Sequence, residues 1–366
     1  METLQAYSAP LEGRRGLLRL DFNENTLGPS PKVVAALRAI PPEHIAIYPE
    51  YEGLREAVVA NLSSRRGGSG LAHSLEPEQV GVFNGVDAAI HAVFHAYGDR
   101  GDTLLTTVPT FGYYTPCARM QGMDIQAIPY EGPEFSFPLE ALRSALLTPA
   151  SGRLPRLLLL CNPNNPTGTR LAPERILELA AAAPDTLVVV DELYEAFTGD
   201  SVLPLVDFSA TANLLVLRSL AKTAGLAGLR IGFAIGNAAV VDRISRVTGP
   251  YDINSFAVTA AFAALDDPEH VAAYVAQVLR ARDWLVERLQ AAGVHHHAAG
   301  GNYLLIWPQG TVGAVEQRLR QVGILVRSMA GKPLIDGAMR VSIGTPEQME
   351  RFWRAFAAIE GLPSGD

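Results

Sequence analysis

Lys222 is one of three lysines, with Lys32 and Lys332, among 30 cationic side chains. A chain so biased toward arginine has few lysines present only for surface charge. Lys222 lies in the small-residue run Ser219-Leu220-Ala221-Lys222-Thr223-Ala224-Gly225-Leu226-Ala227-Gly228-Leu229-Arg230, directly after the apolar segment Leu214 to Leu217. Among the common side chains only a lysine amine forms a reversible Schiff base with an aldehyde, and it must be partly unprotonated to do so. Eight residues on, Arg230 offers a fixed cation suited to a phosphate, and Ser219 adds a hydroxyl. An aldehyde-binding lysine beside a phosphate clamp points to pyridoxal phosphate. The competing reading of the segment alone is a solvated lysine in a Gly/Ala loop.

Two further groups favour chemistry. Asn162-Pro163-Asn164-Asn165-Pro166-Thr167-Gly168 follows the apolar run Leu157 to Cys161. Its prolines and glycine make a rigid turn that can aim side-chain amides at a ligand, where the bland alternative is an ordinary surface turn. Asp191-Glu192-Leu193-Tyr194 closes the next apolar run. An aspartate there can pair with a protonated pyridine nitrogen and keep the ring an electron sink, while Tyr194 and Asn165 can reach the ring's phenolic oxygen. Taken singly, an acidic residue at a strand end is as readily a metal ligand or a helix cap.

Positioning these groups calls for a layered sheet. Short apolar runs at Val80 to Phe83, Thr103 to Val108, Ile125 to Pro129, Arg156 to Cys161, Thr186 to Val190, Leu214 to Leu217 and Ile231 to Ile235 alternate with helical stretches such as Asp87 to Tyr97 and Pro173 to Ala182. That alternation predicts an α/β fold with a mostly parallel sheet and function at the strand ends. After Gly249 a long Ala-rich helical region is expected from Phe256 to Ala292. Asn302 to Trp307, a helix near Val315 to Val322, strands around Ile324 to Arg327 and Met339 to Ile343, and a last helix from Pro346 to Ile359 then form a smaller α+β unit. The expected division is residues 1–44 as an amino-terminal arm and part of the small domain, 45–260 as the large domain, and 261–366 as the connecting helix and small domain.

The 366 residues are 48% hydrophobic with a net charge of -8 and a pI near 5.5, which argues against a nucleic-acid footprint. Two cysteines, Cys117 and Cys161, are too few for a disulfide framework, and the first sixteen residues lack the apolar core of a signal peptide. Apolar runs are strand-sized and too short to span a bilayer. A cytoplasmic, acidic enzyme without membrane contact is the expectation.

In the order Asn23-Glu24-Asn25 with Gly28-Pro29-Ser30-Pro31, Tyr48-Pro49-Glu50, Pro109 to Tyr113, the Asn162 to Gly168 turn, Asp191, the lysine segment, Leu226 to Gly232, Pro250 to Asn254 and Arg340 to Thr345, the chain resembles the fold-type I pyridoxal-phosphate aminotransferases, and within them the histidinol-phosphate aminotransferase group. The resemblance implies that Lys222 holds the cofactor, Asp191 pairs with its ring nitrogen, Asn165 and Tyr194 contact the phenolic oxygen, and Phe111 stacks on the ring. It places the phosphate on Ser219, Arg230 and backbone N–H groups around Gly85, Val86 and Asp87, where a helix start also offers unpaired donors and positive potential. Tyr48 would reach the phosphate in the partner subunit of a homodimer. Asn25 and Arg340 would serve the substrate, with Arg327 on the phosphate of histidinol phosphate and 2-oxoglutarate as acceptor. Aminotransferases for aromatic or other amino acids and threonine-phosphate decarboxylase-like enzymes share most of this pattern. Val86, Ala88, Ala221 and Thr26 depart from the group's usual residues.

His295-His296-His297 follows a helix-ending glycine and reads as a solvated loop, since adjacent histidines point in different directions. His91 and His95, four apart on a helix, lack a third ligand, so no metal site is expected.

Overall fold

Seven of the apolar runs assemble, in the computed structural model, into one sheet ordered Val80–Phe83, Gly232–Gly236, Leu214–Ser219, Leu187–Asp191, Leu157–Cys161, Thr103–Val108, Asp124–Pro129. The structure describes residues 12–64, 71–149 and 152–363; the first eleven residues of the expected amino-terminal arm lie outside them. Only Gly232–Gly236 runs against the rest, so the carboxyl ends of six strands gather at one edge. The Leu157–Cys161 and Leu187–Asp191 strands are buried along their whole length. Strands covered by helices on both faces need apolar residues on both, which is why they read as continuous apolar runs.

One face carries Val188, Val190, Val216 and Phe233 against Ile176, Leu179 and Ala260. The other carries Val189, Leu215 and Leu217 against Ile90, Val93 and Phe94, the buried stripe of the helix Val86–Tyr97. Successive residues of a strand face opposite ways, so the residue types at each strand end decide which chemistry appears on which side.

A second sheet, ordered Arg327–Ser328, Met339–Ser342, Tyr303–Ile306, His296–His297, is antiparallel throughout. The helices Val312–Gln321 and Pro346–Glu360, the latter opened by a Thr345/Gln348 capping box, and the helix Pro268–Ala291 pack on it through Leu285, Leu319, Phe352 and Phe356. Leu18–Arg19 pairs with Ile324–Leu325, which brings residues 21–25 over the edge of the large sheet.

Three expectations need correcting. The helical stretch from Phe256 to Ala292 is two helices, Ser255–Leu265 and Pro268–Ala291, because Pro268 cannot continue a helix and suits the first turn of a new one. The run Ile324 to Arg327 is split between two sheets. His296 and His297 are not a solvated loop but a half-buried edge strand paired with Leu305 and Ile306, with His295 stacked on Trp307 at 4.3 Å. Among the described residues no helix is long and apolar enough to cross a membrane, and no group of three or more potential ligands could hold a metal ion.

Candidate functional site

Lys222 follows the last residue of the Leu214–Ser219 strand by three positions, and its Nζ donates to the Phe22 carbonyl at 2.9 Å. Burial, then the Arg340 and Arg230 guanidiniums, push the ammonium down from 10.5 to about 8, although Glu24 and Asp87 act the other way. An amine so tuned is partly unprotonated near neutral pH, the state required of a nucleophile or base.

The segment that holds this amine crosses the site as a strap. Asn25 Nδ2 donates to the Thr223 carbonyl at 2.8 Å, and its Oδ1 accepts from Leu27 and Gly28 N–H groups at 2.9 and 3.0 Å, so this side chain is engaged by backbone next to the lysine. Asn23 is fully buried with a positive φ of 56°, a conformation asparagine tolerates better than most residues. Its Nδ2 donates to Tyr194 Oη at 3.0 Å and its Oδ1 accepts from Ser342 Oγ at 3.0 Å. Asn165 Nδ2 donates to the same Tyr194 oxygen at 3.3 Å. With two donors already on its oxygen, the Tyr194 hydroxyl keeps its own proton to give.

Asp191 ends its strand fully enclosed. Its Oδ2 accepts from Tyr114 Oη at 2.7 Å and its Oδ1 from the Leu193 N–H at 3.3 Å. Burial pushes its carboxyl up from 3.8 to about 6, while the Tyr114 hydrogen bond pulls the other way. An enclosed carboxylate of this kind gains from a cationic N–H partner more than an exposed one would. Phe111 lies on the loop after the Thr103–Val108 strand, with Tyr114 packed edge-on at 5.5 Å.

The helix Val86–Tyr97 begins at Gly85, whose φ of 79° suits glycine, and no side chain caps it. A Cβ on Gly85 would lie 2.5 Å from Arg230 Nη2, and one on Gly232 would lie 2.7 Å from the Val86 nitrogen. Both glycines therefore let a guanidinium and a strand approach the exposed N–H groups of a helix start, the ordinary makings of a phosphate cradle. Arg230, itself at φ 58°, contacts Asp87 Oδ2 at 2.8 Å. Ser219 Oγ accepts from the Ala221 N–H at 3.0 Å. The lysine, the enclosed acid, the aromatic ring and this cradle fit pyridoxal phosphate in residue type and in arrangement along the sheet edge.

On the small-sheet side, Arg327 and Arg340 stand directly opposite each other in the register of their strands. Arg340 donates to Asn165 Oδ1 and to the Asp21 carbonyl, both at 2.6 Å. The Arg327 guanidinium lies 5.8 Å from the Phe22 ring centroid, on the residue whose carbonyl takes the lysine. Tyr48 is 70% exposed and stacks on Tyr251 at 4.0 Å, with Ile45 and Ile47 exposed beside it in sequence.

Several contributors escape a sequence reading. Tyr114 lies outside every motif quoted above, and Asn23 and Ser342, though inside quoted motifs, had no assigned role: all three act through partners between 77 and 319 residues away. Asn164 serves the turn: its amide bonds the Pro109 carbonyl and Thr167, and Tyr303 Oη donates to its carbonyl at 2.7 Å.

Comparison with known proteins bears on the family and the fold. The family model for class I and II aminotransferases matches residues 15–356. The chain is 36% identical to a histidinol-phosphate aminotransferase of Roseiflexus castenholzii over 91% of this chain and 86% of that one. It is 33% identical to another from Symbiobacterium thermophilum over 95% and 92%. The fold matches the Sinorhizobium meliloti histidinol-phosphate aminotransferase, solved in complex with pyridoxal-5'-phosphate, with a TM-score of 0.79 at 22% identity, covering 93% of this chain and 89% of that one.

Proposed function

Because the chain belongs to the class I and II aminotransferases, we propose that it uses pyridoxal phosphate to move the amino group of L-histidinol phosphate to 2-oxoglutarate, giving imidazole acetol phosphate and L-glutamate. Bound pyridoxal phosphate supplies an aldehyde that captures amines and a ring that withdraws electrons from the carbon losing its proton. Lys222 would anchor the cofactor, and its Nζ, an amine with a pKa near 8, would take the proton from the substrate's α-carbon and deliver it to the cofactor. Asp191 holds the proton on the ring nitrogen. Tyr194 and Asn165 orient the phenolic oxygen, and Phe111 covers one ring face. Ser219, Arg230 and the N–H groups at Val86 and Asp87 would bind the phosphate, whereas the expected Gly85 N–H is taken by the Phe83 carbonyl at 2.7 Å.

The opposition of Arg327 and Arg340 carries the choice of substrate. Like charges directly across a sheet repel, and a dianion between them reverses the sign, whereas one guanidinium suffices for a carboxylate. Arg340 then serves both substrates and Arg327 the phosphate of one, with Asn25 as a further substrate contact held by backbone beside Thr223. Relatives bearing the name histidinol-phosphate aminotransferase support the same reading. A homodimer in which Tyr48 reaches the partner subunit's cofactor phosphate accounts for an aromatic and aliphatic patch exposed at Ile45, Ile47, Tyr48 and Tyr251. Side-by-side turnover of histidinol phosphate, phenylalanine and threonine phosphate tests the assignment: histidinol phosphate should have the highest kcat/KM by tenfold or more, and a preference for either competitor overturns it.

A further inference from the structure

Directly behind the site, on the opposite face of the sheet, the residues following Asp191 and preceding Ser219 meet. Asp191 and Leu217 are register partners in parallel strands, so Glu192 and Arg218 emerge side by side on the face away from Asp191. Glu192 is fully buried. Its Oε1 accepts from the Val202 N–H at 2.8 Å, its Oε2 from Ser201 Oγ at 2.8 Å, and Arg218 Nε lies 3.1 Å from the same Oε2. Arg218 also pairs with Glu195 and donates through Nη2 to Ser201 Oγ at 2.9 Å. One guanidinium thus ties the end of the lysine's strand to the end of the aspartate's strand and to the loop beyond it.

Arg218 and Glu192 border a cavity of about 470 Å³ on this face, walled by Phe233, Ile235, Val271 and Val275. Over the middle of the strands the backing is close-packed aliphatic side chains; at the Glu192 and Arg218 ends the described residues leave this open cavity, and the polar lattice spans the two strand ends. Burial pushes the Glu192 carboxyl up and the Arg218 guanidinium down, so this arrangement is costly as a simple stabilising device, and apolar replacements of buried ion pairs are often as stable.

Building on the aminotransferase reading, we propose that Glu192 and Arg218 are a positioning pair that sets the separation and angle between Asp191 and the Ser219 to Lys222 segment, and so the fit of pyridoxal phosphate to both. Neither residue touches the cofactor; each acts through the neighbouring residue in its strand.

The test replaces both charges at once, Glu192→Leu with Arg218→Met, so that the fully buried Glu192 is not left without its cation and only the partly exposed Glu195 loses a partner. Wild type and variant are compared by thermal unfolding without cofactor, by pyridoxal phosphate titration, and by the pH midpoint of the visible band of the lysine-bound cofactor. The expected result is unfolding within a few degrees of wild type, cofactor affinity lower by about tenfold and a displaced pH midpoint. Ser201→Ala, which removes only the hydroxyl joining the pair, should give the same spectral displacement in smaller degree and provides the test if the double variant does not fold. Arg218→Lys should restore little, since an ammonium is a point charge that lacks the planar fork. Wild-type affinity and midpoint in the double variant, or in Ser201→Ala where that variant alone folds, overturn the proposal. Failure of the wild-type protein itself to bind pyridoxal phosphate overturns the cofactor reading beneath it instead.

Discussion

Lys222→Met should stabilise the cofactor-free protein while destroying its activity. The fall of the ammonium from 10.5 to about 8 corresponds to ~3 kcal/mol of disfavour for the charged form in the folded state. Methionine removes that cost, but also removes the hydrogen bond to the Phe22 carbonyl, worth about 1 kcal/mol, leaving a net gain of ~2 kcal/mol. For 366 residues an unfolding entropy of ~0.8 kcal/mol/K converts that gain into roughly 3 °C of Tm. The sign with pH is fixed by the depressed folded value: the cost of the ammonium is fully present below pH 8, fades as pH rises from 8 to 10.5, and is gone above. Calorimetry of cofactor-free wild type and variant at pH 7 and pH 10 measures both quantities. No gain at pH 7, or an equal gain at the two pH values, would refute the electrostatic account of Lys222.

Other substitutions probe other parts of the site. Arg230→Ala should weaken pyridoxal phosphate by roughly ten- to a hundredfold, the loss of one or two charge-assisted hydrogen bonds, read from titration of the cofactor-free protein. Arg327→Ala should raise KM for histidinol phosphate by roughly tenfold or more while changing glutamate kinetics little, and Arg340→Ala should impair both substrates, read from the two half-reactions separately. Tyr48→Ala should lower cofactor affinity, and sedimentation of the wild-type protein should give a dimer; unchanged affinity would remove Tyr48 from the phosphate site.

Much of this was legible in the chain because its strands are buried on both faces. Leu157–Cys161 and Leu187–Asp191 read as unbroken apolar runs, so the polar residues immediately after them stood out as strand-end chemistry. Arg230 was legible as a fixed cation eight residues after Lys222, whereas the Gly85 helix start was expected from the family resemblance together with the free donors of a helix start. What stayed hidden was set by distant pairing or by facing direction. Asn23 finds Tyr194 and Ser342 only through the fold, and Tyr114 reaches Asp191 across 77 positions. Glu192 was in view beside Asp191, but its partnership with Arg218 requires the parallel register of two strands. The strand at His296–His297 was missed because its pairing partner, not its own composition, makes it one. The break before Pro268 was visible as a residue and masked by the alanine-rich periodicity on either side.

The proposed function makes Lys222, Asp191 and the two opposed arginines the parts of an enzyme that takes the amino group of histidinol phosphate. It is tested most directly by adding histidinol phosphate, without any 2-oxo acid, to the purified pyridoxal-phosphate-loaded protein and following the visible band of the lysine-bound cofactor. The predicted result is loss of that band with stoichiometric formation of pyridoxamine phosphate. A band that withstands histidinol phosphate yet is discharged by phenylalanine would contradict the substrate assignment, and the absence of any lysine-bound band would contradict the role of Lys222.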